Sequence, residues 1–304
     1  MKQIVSSEQK QRVIDLHHRH TLRETAAMTD LPLGTVKTLC SRSGAFRDNT
    51  VHRALFTLPP VQVSAQTLPA IPDLPPQVDV TGDPEVDAVL WLRQVINTGH
   101  AALIEKAMKA AKHISTPLKV LEDRYTKYLA TAHPENPFAA LFGSLGFADL
   151  DGLARKAIEQ ERLRCEAVAR FGERLFAHTD AESFCIEALE ALQLDATFQF
   201  DPIEVAIRFR ANPALLPNTL SDCLHELNFW DNLFRLRRAV DPSQNDCIAE
   251  ADARKQLVIG LLAQRRPRTN DEALSVFRYL VASDRMNNSE ADAILINLIG
   301  SGQR

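Results

Sequence analysis

Three histidines lie close together near the start of the sequence, in the run His17-His18-Arg19-His20. Imidazoles are common metal ligands and common acid–base groups, so this run raises the question of a metal site or a catalytic site. Side chains of adjacent helical residues point to different faces and cannot easily share one ion. We therefore interpret the run as the exposed end of a helix, where His also suits the helix dipole. Arg19 and His20 would then be available to phosphate groups.

Thiol chemistry is not indicated by the spacing of the cysteines. The five cysteines are Cys40, Cys165, Cys185, Cys223 and Cys247. They include no CxxC pair and their number is odd, which argues against a zinc site and against a disulfide framework. Cys223 and His225 lie two residues apart with no evident third group to orient them, so they do not suggest a nucleophile and its base. Scattered thiols are typical of a reducing cytosol, and we predict a cytoplasmic protein.

The sequence contains no phosphate loop, no HExxH motif and no GxSxG motif. We therefore predict no catalytic residues, no metal and no cofactor. No run of 18 apolar residues occurs, so we expect no membrane-spanning segment. The start of the chain, MKQIVSSEQK, lacks the apolar core of a signal peptide.

Basic residues are concentrated at the start of the chain. Residues 1–58 carry nine Lys and Arg against five Asp and Glu, a net charge of +4, whereas the remainder carries −8. Phosphate binding depends on the local field more than on the total charge. The whole-chain charge of −4 therefore does not exclude a nucleic-acid partner for the first segment.

Two basic clusters interrupt the acidic remainder, FRLRR at 234–238 and RRPR at 265–268. Each is open to two interpretations: a second contact with nucleic acid, or ion pairs and helix ends, where Arg is common. The second interpretation is favoured. The larger aromatic residues of the remainder are expected in the core rather than around a ligand, and they are Trp91, Phe229, Trp230 and Phe234.

The first segment predicts three short helices. Ser6 or Ser7 can cap a first helix, whose apolar side is Val13, Ile14 and Leu16. Thr21-Leu-Arg-Glu24 fits a capping box at the start of a second helix. The buried side of this second helix is predicted to be Leu22, Thr25, Ala26 and Met28. Pro32 suits the first turn of a third helix, LGTVKTLCSRS, which ends at Gly44.

The remainder of the chain predicts a linker followed by helices. Residues 59–84 hold seven prolines in 26 residues, which excludes a packed helix. A semi-rigid linker is favoured, with an ordered arm as the second interpretation. From 85 to 304 the apolar spacing is helical, with breaks expected near Gly99 and Pro117, and strand character is confined to ATFQF at 196–200. We predict an all-α fold: a head at 1–58, a linker at 59–84 and a larger helical domain at 85–304.

The segment from Glu24 to Lys37, ETAAMTDLPLGTVK, resembles the helix-turn-helix of the promoter-reading region of sigma factors. It is also similar to the homeodomain-like heads of recombinases and transposases. The likeness covers about 25 residues of the 304 and includes the E-x-A spacing and the GTVK run. It implies that the third helix is a recognition helix that enters the major groove of DNA. The module lies at the N-terminus, whereas sigma factors carry it at their C-terminal end, so we do not expect a sigma factor.

The resemblance implies a set of residues that contact DNA, on the third helix and beside it. Ala26 would let the two helices approach closely, and Leu31 and Val36 would pack inward. Lys37, Thr38, Ser41 and Arg42 would lie on the outer face, available to phosphates and base edges. The candidate DNA contacts are Arg23, Gly34, Thr35, Lys37, Thr38, Ser41, Arg42 and Arg47.

The leading hypothesis is a nucleoid-associated, sequence-specific regulator that binds double-stranded DNA. Its helical domain would form a homo-oligomer or bind a protein partner, because one head makes few phosphate contacts. The alternative is an adaptor or assembly protein of a mobile element, phage or defence system, in which the head only locates DNA. A DNA-processing enzyme is the weakest candidate, because a recombinase or transposase needs a carboxylate set on a sheet, or a nucleophile with an arginine cluster.

Overall fold

The structure is a computed structural model that describes residues 5–62, 72–243 and 247–300. Within these ranges the regular secondary structure is helical, as the sequence predicts. Residues 196–200 were expected to have strand character, but they lie in a turn that Asp195 stabilises by accepting the Thr197 N–H at 2.8 Å. In the described residues no helix combines the length and the apolar character needed to cross a membrane.

The described residues form two compact units. Unit 1 comprises the described parts of Met1–Pro59, Phe176–Arg235 and Gln244–Arg304, and unit 2 comprises those of Pro60–Leu175 and Leu236–Ser243. The boundary predicted at 58 lies next to the unit boundary after Pro59, but this division groups the described linker residues with unit 2 and the predicted head with C-terminal helices. The physical reason is that residues up to Pro59 pack against helices from the C-terminal half of the chain, which residue composition does not reveal.

Fifteen α-helices occur in the described residues. Those of unit 2 are α5 (Pro84–Asn97), α6 (Ala101–Ala111), α7 (Leu118–Ala132), α8 (Pro137–Gly143) and α9 (Leu150–Phe171). Those that lie in or begin in unit 1 are α1 (Ser7–His17), α2 (Leu22–Thr29), α3 (Leu33–Ser43), α4 (Thr50–Leu55), α10 (Asp180–Ala188), α11 (Pro202–Arg210), α12 (Leu220–Val240), α13 (Ala249–Leu262), α14 (Asn270–Ala282) and α15 (Ala291–Gly300).

The first three helices begin and end where the local sequence predicts. Ser6 caps α1, and its hydroxyl accepts the Gln9 N–H at 3.1 Å. The predicted capping box opens α2, since Thr21 accepts the Glu24 N–H and the Glu24 carboxylate accepts the Thr21 N–H at 2.7 Å. Asp30 ends α2 in the left-handed region with a φ of 53°. A residue in this left-handed conformation changes the direction of the chain sharply, so that α3 can cross α2.

A small core holds α1, α2 and α3 together. Val13, Leu31, Val36 and Cys40 are buried in it, which confirms the inward positions predicted for Leu31 and Val36. Thr25 is also buried, but Met28, predicted on the same side of α2, is 49% exposed. The Met28 side chain therefore does not contribute to this core.

A fourth helix follows the three that the sequence predicts. Asn49 caps α4 by accepting the backbone N–H groups of Val51 and His52 with its side chain. Six residues give too short a pattern for a period of 3.6 to be recognised. The helix is stabilised by what it packs against, because isolated helices of this length are unstable in water.

The C-terminal part of unit 1 is built around α12, α13, α14 and α15. Leu227, Val258, Val276 and Ile294 are among the residues buried in their shared core. Of the aromatic residues predicted in the core, Phe229 and Trp230 of α12 are buried, whereas Phe234 is half-buried. This core gives α12 a fixed surface against which the N-terminal helices pack.

Unit 2 has its own core between α5, α6, α7 and α9. Its buried side chains include Val89, Ile96, Leu121 and Leu150. The break predicted near Gly99 is present, with a φ of 73° between α5 and α6. A Cβ at that position would lie 2.8 Å from the Glu161 Cβ, so the close approach of α9 also requires glycine there.

The described parts of the proline-rich segment are hydrogen-bonded to helices of unit 2. The Gln62 N–H donates to the Ala169 carbonyl at 2.9 Å, and the Trp91 indole donates to the Pro75 carbonyl at 2.8 Å. Further on, the Tyr128 hydroxyl donates to the Val80 carbonyl at 2.8 Å. An extended chain leaves its carbonyls without internal partners, and helix side chains supply them. These contacts favour the ordered arm over the free linker for the described residues.

Candidate nucleic-acid interface

The outer face of α3 is open to solvent. Lys37, Thr38, Ser41 and Arg42 are exposed, whereas Val36 and Cys40 on the opposite side are buried. Lys37 and Ser41 are four residues apart, as are Thr38 and Arg42, so the four side chains form one continuous face. The face combines two cations with two hydroxyl groups, which are suitable donors to phosphates and base edges.

Gly34 and Thr35 lie at the start of this face. Gly34 is exposed, and a Cβ built on it meets nothing within 4 Å. The fold therefore does not require glycine here, and any requirement would come from a binding partner. Thr35 is half-buried, which leaves it less accessible than the other predicted contacts. The Thr38 hydroxyl donates to the Gly34 carbonyl at 2.8 Å and keeps its oxygen free to accept.

Arg23 and Arg47 are the two candidate DNA contacts that lie outside α3. Arg23 is exposed on α2, and Arg47 is exposed in the loop after α3. Within the described residues, the charged side-chain groups of Arg23, Lys37, Arg42 and Arg47 form no ion pair and no hydrogen bond. Their charges are therefore not compensated by the protein, and they produce a positive field around α3.

Helix α4 fixes the N-terminal helices to α12. The Phe56 ring lies 5.8 Å from the Phe229 ring and 5.7 Å from the Trp230 ring, both edge-on. Phe56 is almost fully buried. Burial of a Phe side chain stabilises by about 2 kcal/mol relative to exposure. This contact positions α3 relative to the C-terminal helices of unit 1.

A buried cluster of three ionisable residues lies under this contact. The Glu226 carboxylate accepts from Arg254 Nε at 2.7 Å and from Arg254 Nη2 at 2.9 Å, and its Oε2 lies 2.6 Å from His52 Nε2. All three side chains are 0% exposed. The Trp230 indole also donates to Glu226 at 3.3 Å. Three side chains, one from each of α4, α12 and α13, thus contact the Glu226 carboxylate.

The electrostatics of the cluster keep Glu226 ionised. Burial alone raises the pKa of the Glu226 carboxyl, but the charge of Arg254 and hydrogen bonds from Arg254 and His52 hold the pKa below its ordinary value. The Arg254 guanidinium also lies over the Phe209 ring, 4.9 Å from its centroid. Breaking a buried pair leaves an uncompensated charge in the core, which is strongly destabilising.

A second carboxylate, Asp222, receives the start of α4. It accepts the Asn49 N–H at 3.0 Å and the Arg53 Nε at 2.6 Å. Burial raises the pKa of the Asp222 carboxyl, but hydrogen bonds from Arg53, Asn49 and Asn218 lower it by more. The pKa of Asp222 is therefore below its ordinary value. Arg53 was counted among the positive charges of the head, but it is engaged, like His52, in holding α4 on α12.

The histidine run lies partly inside the protein rather than on an exposed helix end. His17 and His18 pack on Phe46, with ring centroids 4.6 Å and 4.7 Å away. Burial, and next the charge of Arg265, lowers the pKa of His18 to about 3. The guanidinium of Arg19 donates to Gln264 at 3.1 Å. This packing corrects the predicted surface position of the run, and its physical reason is the presence of Phe46 and the RRPR loop.

Sequence reasoning missed Asp222, Glu226 and Arg254. The available signal was the placement of Asp222 and Glu226, four residues apart, within the apolar stripe of α12. A carboxylate at a core position implies a buried cationic partner. The partner itself, Arg254 on α13, could not be identified without the fold.

The described residues contain no group of three or more His, Cys, Asp or Glu side chains arranged to hold a metal ion. Comparisons with protein families, with curated proteins and with solved structures find no match for this chain.

Proposed function

We propose that this chain is a sequence-specific DNA-binding regulator and that α2 and α3 form a helix-turn-helix. The observation that carries the proposal is the outer face of α3, where Lys37 and Arg42 are exposed and have no ion-pair partner among the described residues. When exposed cations without an ion-pair partner bind DNA phosphates, they release the counterions condensed on the DNA, which favours binding.

The geometry of the three helices suits a major groove. Helix α3 has 11 residues and is about 16 Å long at 1.5 Å per residue. The groove is about 12 Å wide and admits one α-helix. Arg42 can reach two acceptors of a guanine edge at once, and Lys37 reaches phosphate as a point charge. Arg23, at the start of α2, would contact the strand that this helix crosses.

The binding of a second copy completes the proposal. One head offers few cations, and affinity in the physiological range requires either two heads on spaced half-sites or a protein partner. A homodimer would present two copies of α3, and its operator would have the same two-fold symmetry. Light scattering on the purified chain, free and with duplex DNA, measures the number of copies.

The proposal is tested by selecting bound sequences from random duplex DNA with the full chain. We expect a recovered consensus, and tighter binding to it than to a scrambled duplex at matched salt. Recovery of no consensus, together with equal affinity for both duplexes, would contradict sequence-specific regulation. Failure to retain any duplex at low salt would contradict DNA binding altogether.

A further inference from the structure

A cleft of about 460 Å³ lies in unit 1 between the N-terminal helices and the loop after α13. The loop is the RRPR cluster at 265–268, which the sequence left open as either a nucleic-acid contact or an ion-paired helix end. The Arg266 N–H donates to the His18 carbonyl at 2.9 Å, so the loop is fixed to the turn between α1 and α2. The residues that line the cleft are His17, His18, His20, Thr21, Leu22, Arg23, Phe46, Asn218, Thr219, Arg265, Arg266, Pro267 and Arg268.

The lining is strongly basic. It contains four arginines and, among the described residues, no Asp or Glu. Arg268 is compensated by Asp48 and Glu272, each at 2.9 Å. Arg266 has one distant carboxylate, Glu24 at 4.0 Å, and its side chain is 22% exposed. The lining therefore keeps more positive charge than the protein itself neutralises.

Arg265 is held inside the protein without an ion-pair partner among the described residues. Its Nε is buried and has no hydrogen-bond partner in the described residues, and its Nη2 donates weakly to the Pro217 carbonyl at 3.4 Å. Burial, and also the charges of Arg210 and Arg19, lowers the pKa of Arg265, although Asp15 acts against them. A guanidinium remains charged in proteins. A buried cation without a fixed anion is costly, and a bound anion would remove that cost.

The arginines of the cleft suit a phosphoryl group, because guanidinium forks match the oxygens of phosphate. The Asn218 amide and the Thr219 hydroxyl are already engaged, since they donate to the Gly44 and Arg47 carbonyls and to Asp48. The cleft also includes Arg23 at the start of α2, beside the proposed path of the DNA strand. Two sources would supply the same phosphoryl group: a phosphate of the bound DNA strand, or a free phosphorylated molecule of a size that fits this volume.

We infer that this cleft binds a phosphoryl group through Arg265 and Arg266. The version of this inference in which the DNA strand supplies the phosphoryl group rests on the proposed function. The version in which a free phosphorylated molecule supplies it is independent of that function. The hydrogen bond from Arg265 Nη2 to the Pro217 carbonyl orients one guanidinium group, and the backbone bond from the Arg266 N–H to the His18 carbonyl fixes the loop that carries the other. Both lower the entropic cost of binding.

The test uses the full chain and two substitutions, Arg266→Gln and Arg265→Lys. Arg278→Gln is the matched control, because Arg278 is an exposed arginine of α14 in the same unit. In the first arm, inorganic phosphate and pyrophosphate are titrated at constant ionic strength without DNA, and binding is measured by calorimetry. In the second arm, the affinity for duplex DNA is measured over a range of salt concentrations.

If the ligand is a free phosphorylated molecule, we expect wild type to bind pyrophosphate. Arg266→Gln should weaken this binding about tenfold, because it loses a charge-assisted hydrogen bond. If the ligand is a phosphate of the DNA strand, we expect Arg266→Gln to lower the salt dependence of DNA binding by about one counterion. The loss of affinity should be equal for all DNA sequences. Arg265→Lys keeps the charge and loses the guanidinium fork, so we expect an intermediate effect in the same arm. Arg278→Gln should change neither arm.

The inference is overturned when wild type binds no phosphate or pyrophosphate and both cleft variants bind DNA as Arg278→Gln does. If wild type binds pyrophosphate but no duplex DNA, the cleft inference stands and the proposed function fails. If the cleft variants match the control in both arms while wild type retains sequence-specific DNA binding, only the cleft inference fails.

Discussion

Arg42 and Arg53 belong to the same basic segment, but the structure uses their charges differently. Arg42 lies on the outer face of α3 and has no ion-pair partner among the described residues. Arg53 donates to Asp222 at 2.6 Å and joins α4 to α12. The comparison teaches that a net positive charge identifies a binding surface only after the internally paired cations are subtracted. It also predicts that substitutions in the two regions affect different measurements.

The buried cluster under α4 should give the largest loss of stability. Glu226→Gln removes the charge that compensates Arg254 inside the core. We expect the free energy of unfolding to fall by about 3–5 kcal/mol, measured by urea denaturation. Glu204→Gln, at an exposed position on α11, is the control and should change stability by less than about 0.5 kcal/mol. Equal stabilities of the two variants would contradict the assignment of Glu226 as the anchor of this region.

The two arginines themselves provide the next test. Arg53→Ala leaves Asp222 without its charged donor, and a hydrogen bond to a charged group is worth about 2 kcal/mol. Arg42→Ala should leave the free energy of unfolding within about 0.5 kcal/mol of wild type. Thermal and urea denaturation of both variants check the contrast. A loss of stability in Arg42→Ala as large as that in Arg53→Ala would show that the α3 face is structural.

The contact between α4 and α12 affects the design of experiments on the head. His52 and Phe56 are part of this buried contact, so deletion of residues 1–58 would expose Glu226 and Arg254. Loss of activity after that truncation would therefore not separate DNA binding from folding. Substitutions on the exposed face of α3 avoid this problem.

A smaller effect is expected from pH. His18 has a pKa of about 3 in the folded chain because of burial and the nearby Arg265, and its pKa is about 6.5 when unfolded. The folded state therefore binds fewer protons between these values, and stability falls as pH is lowered below about 6.5. The slope from this group is at most about 1.4 kcal/mol per pH unit.

Denaturation of wild type and His18→Gln at pH values from 7.5 to about 4.5, above the main titration of carboxyl groups, measures this slope. The variant should show a shallower dependence than wild type. His113→Gln, at an exposed histidine of unit 2, should reproduce the wild-type slope. Parallel curves for all three proteins would contradict the burial of a neutral His18.

Local signals in the sequence predicted much of the fold. The capping box at Thr21, the end of α3 at Gly44 and the break at Gly99 are each specified by one or two residues and their own backbone. Such features need no distant partner, and their chemistry can be recognised in a short window. The all-helical character follows from the same kind of evidence.

The features that the sequence missed depend on distant partners. Helix α4 exists because Asn49 and Phe56 meet α12, and Glu226 is satisfied by an arginine on a different helix. Proline content indicated an extended segment near Pro75, but it could not show that Trp91 would hydrogen-bond to it. Of the candidate site, the sequence predicted the exposed cations of α3, whereas the cleft with Arg265 required tertiary structure.

The most direct test of the account is the binding of duplex DNA by Arg42→Ala and Lys37→Ala, with Arg278→Ala as the matched control. At matched salt, we expect Arg42→Ala to lose about 1–3 kcal/mol of discrimination between the selected and a scrambled duplex. Lys37→Ala should weaken binding to both duplexes alike and lower the salt dependence by about one counterion. Wild-type affinity, discrimination and salt dependence in both α3 variants would contradict the claim that this face binds DNA.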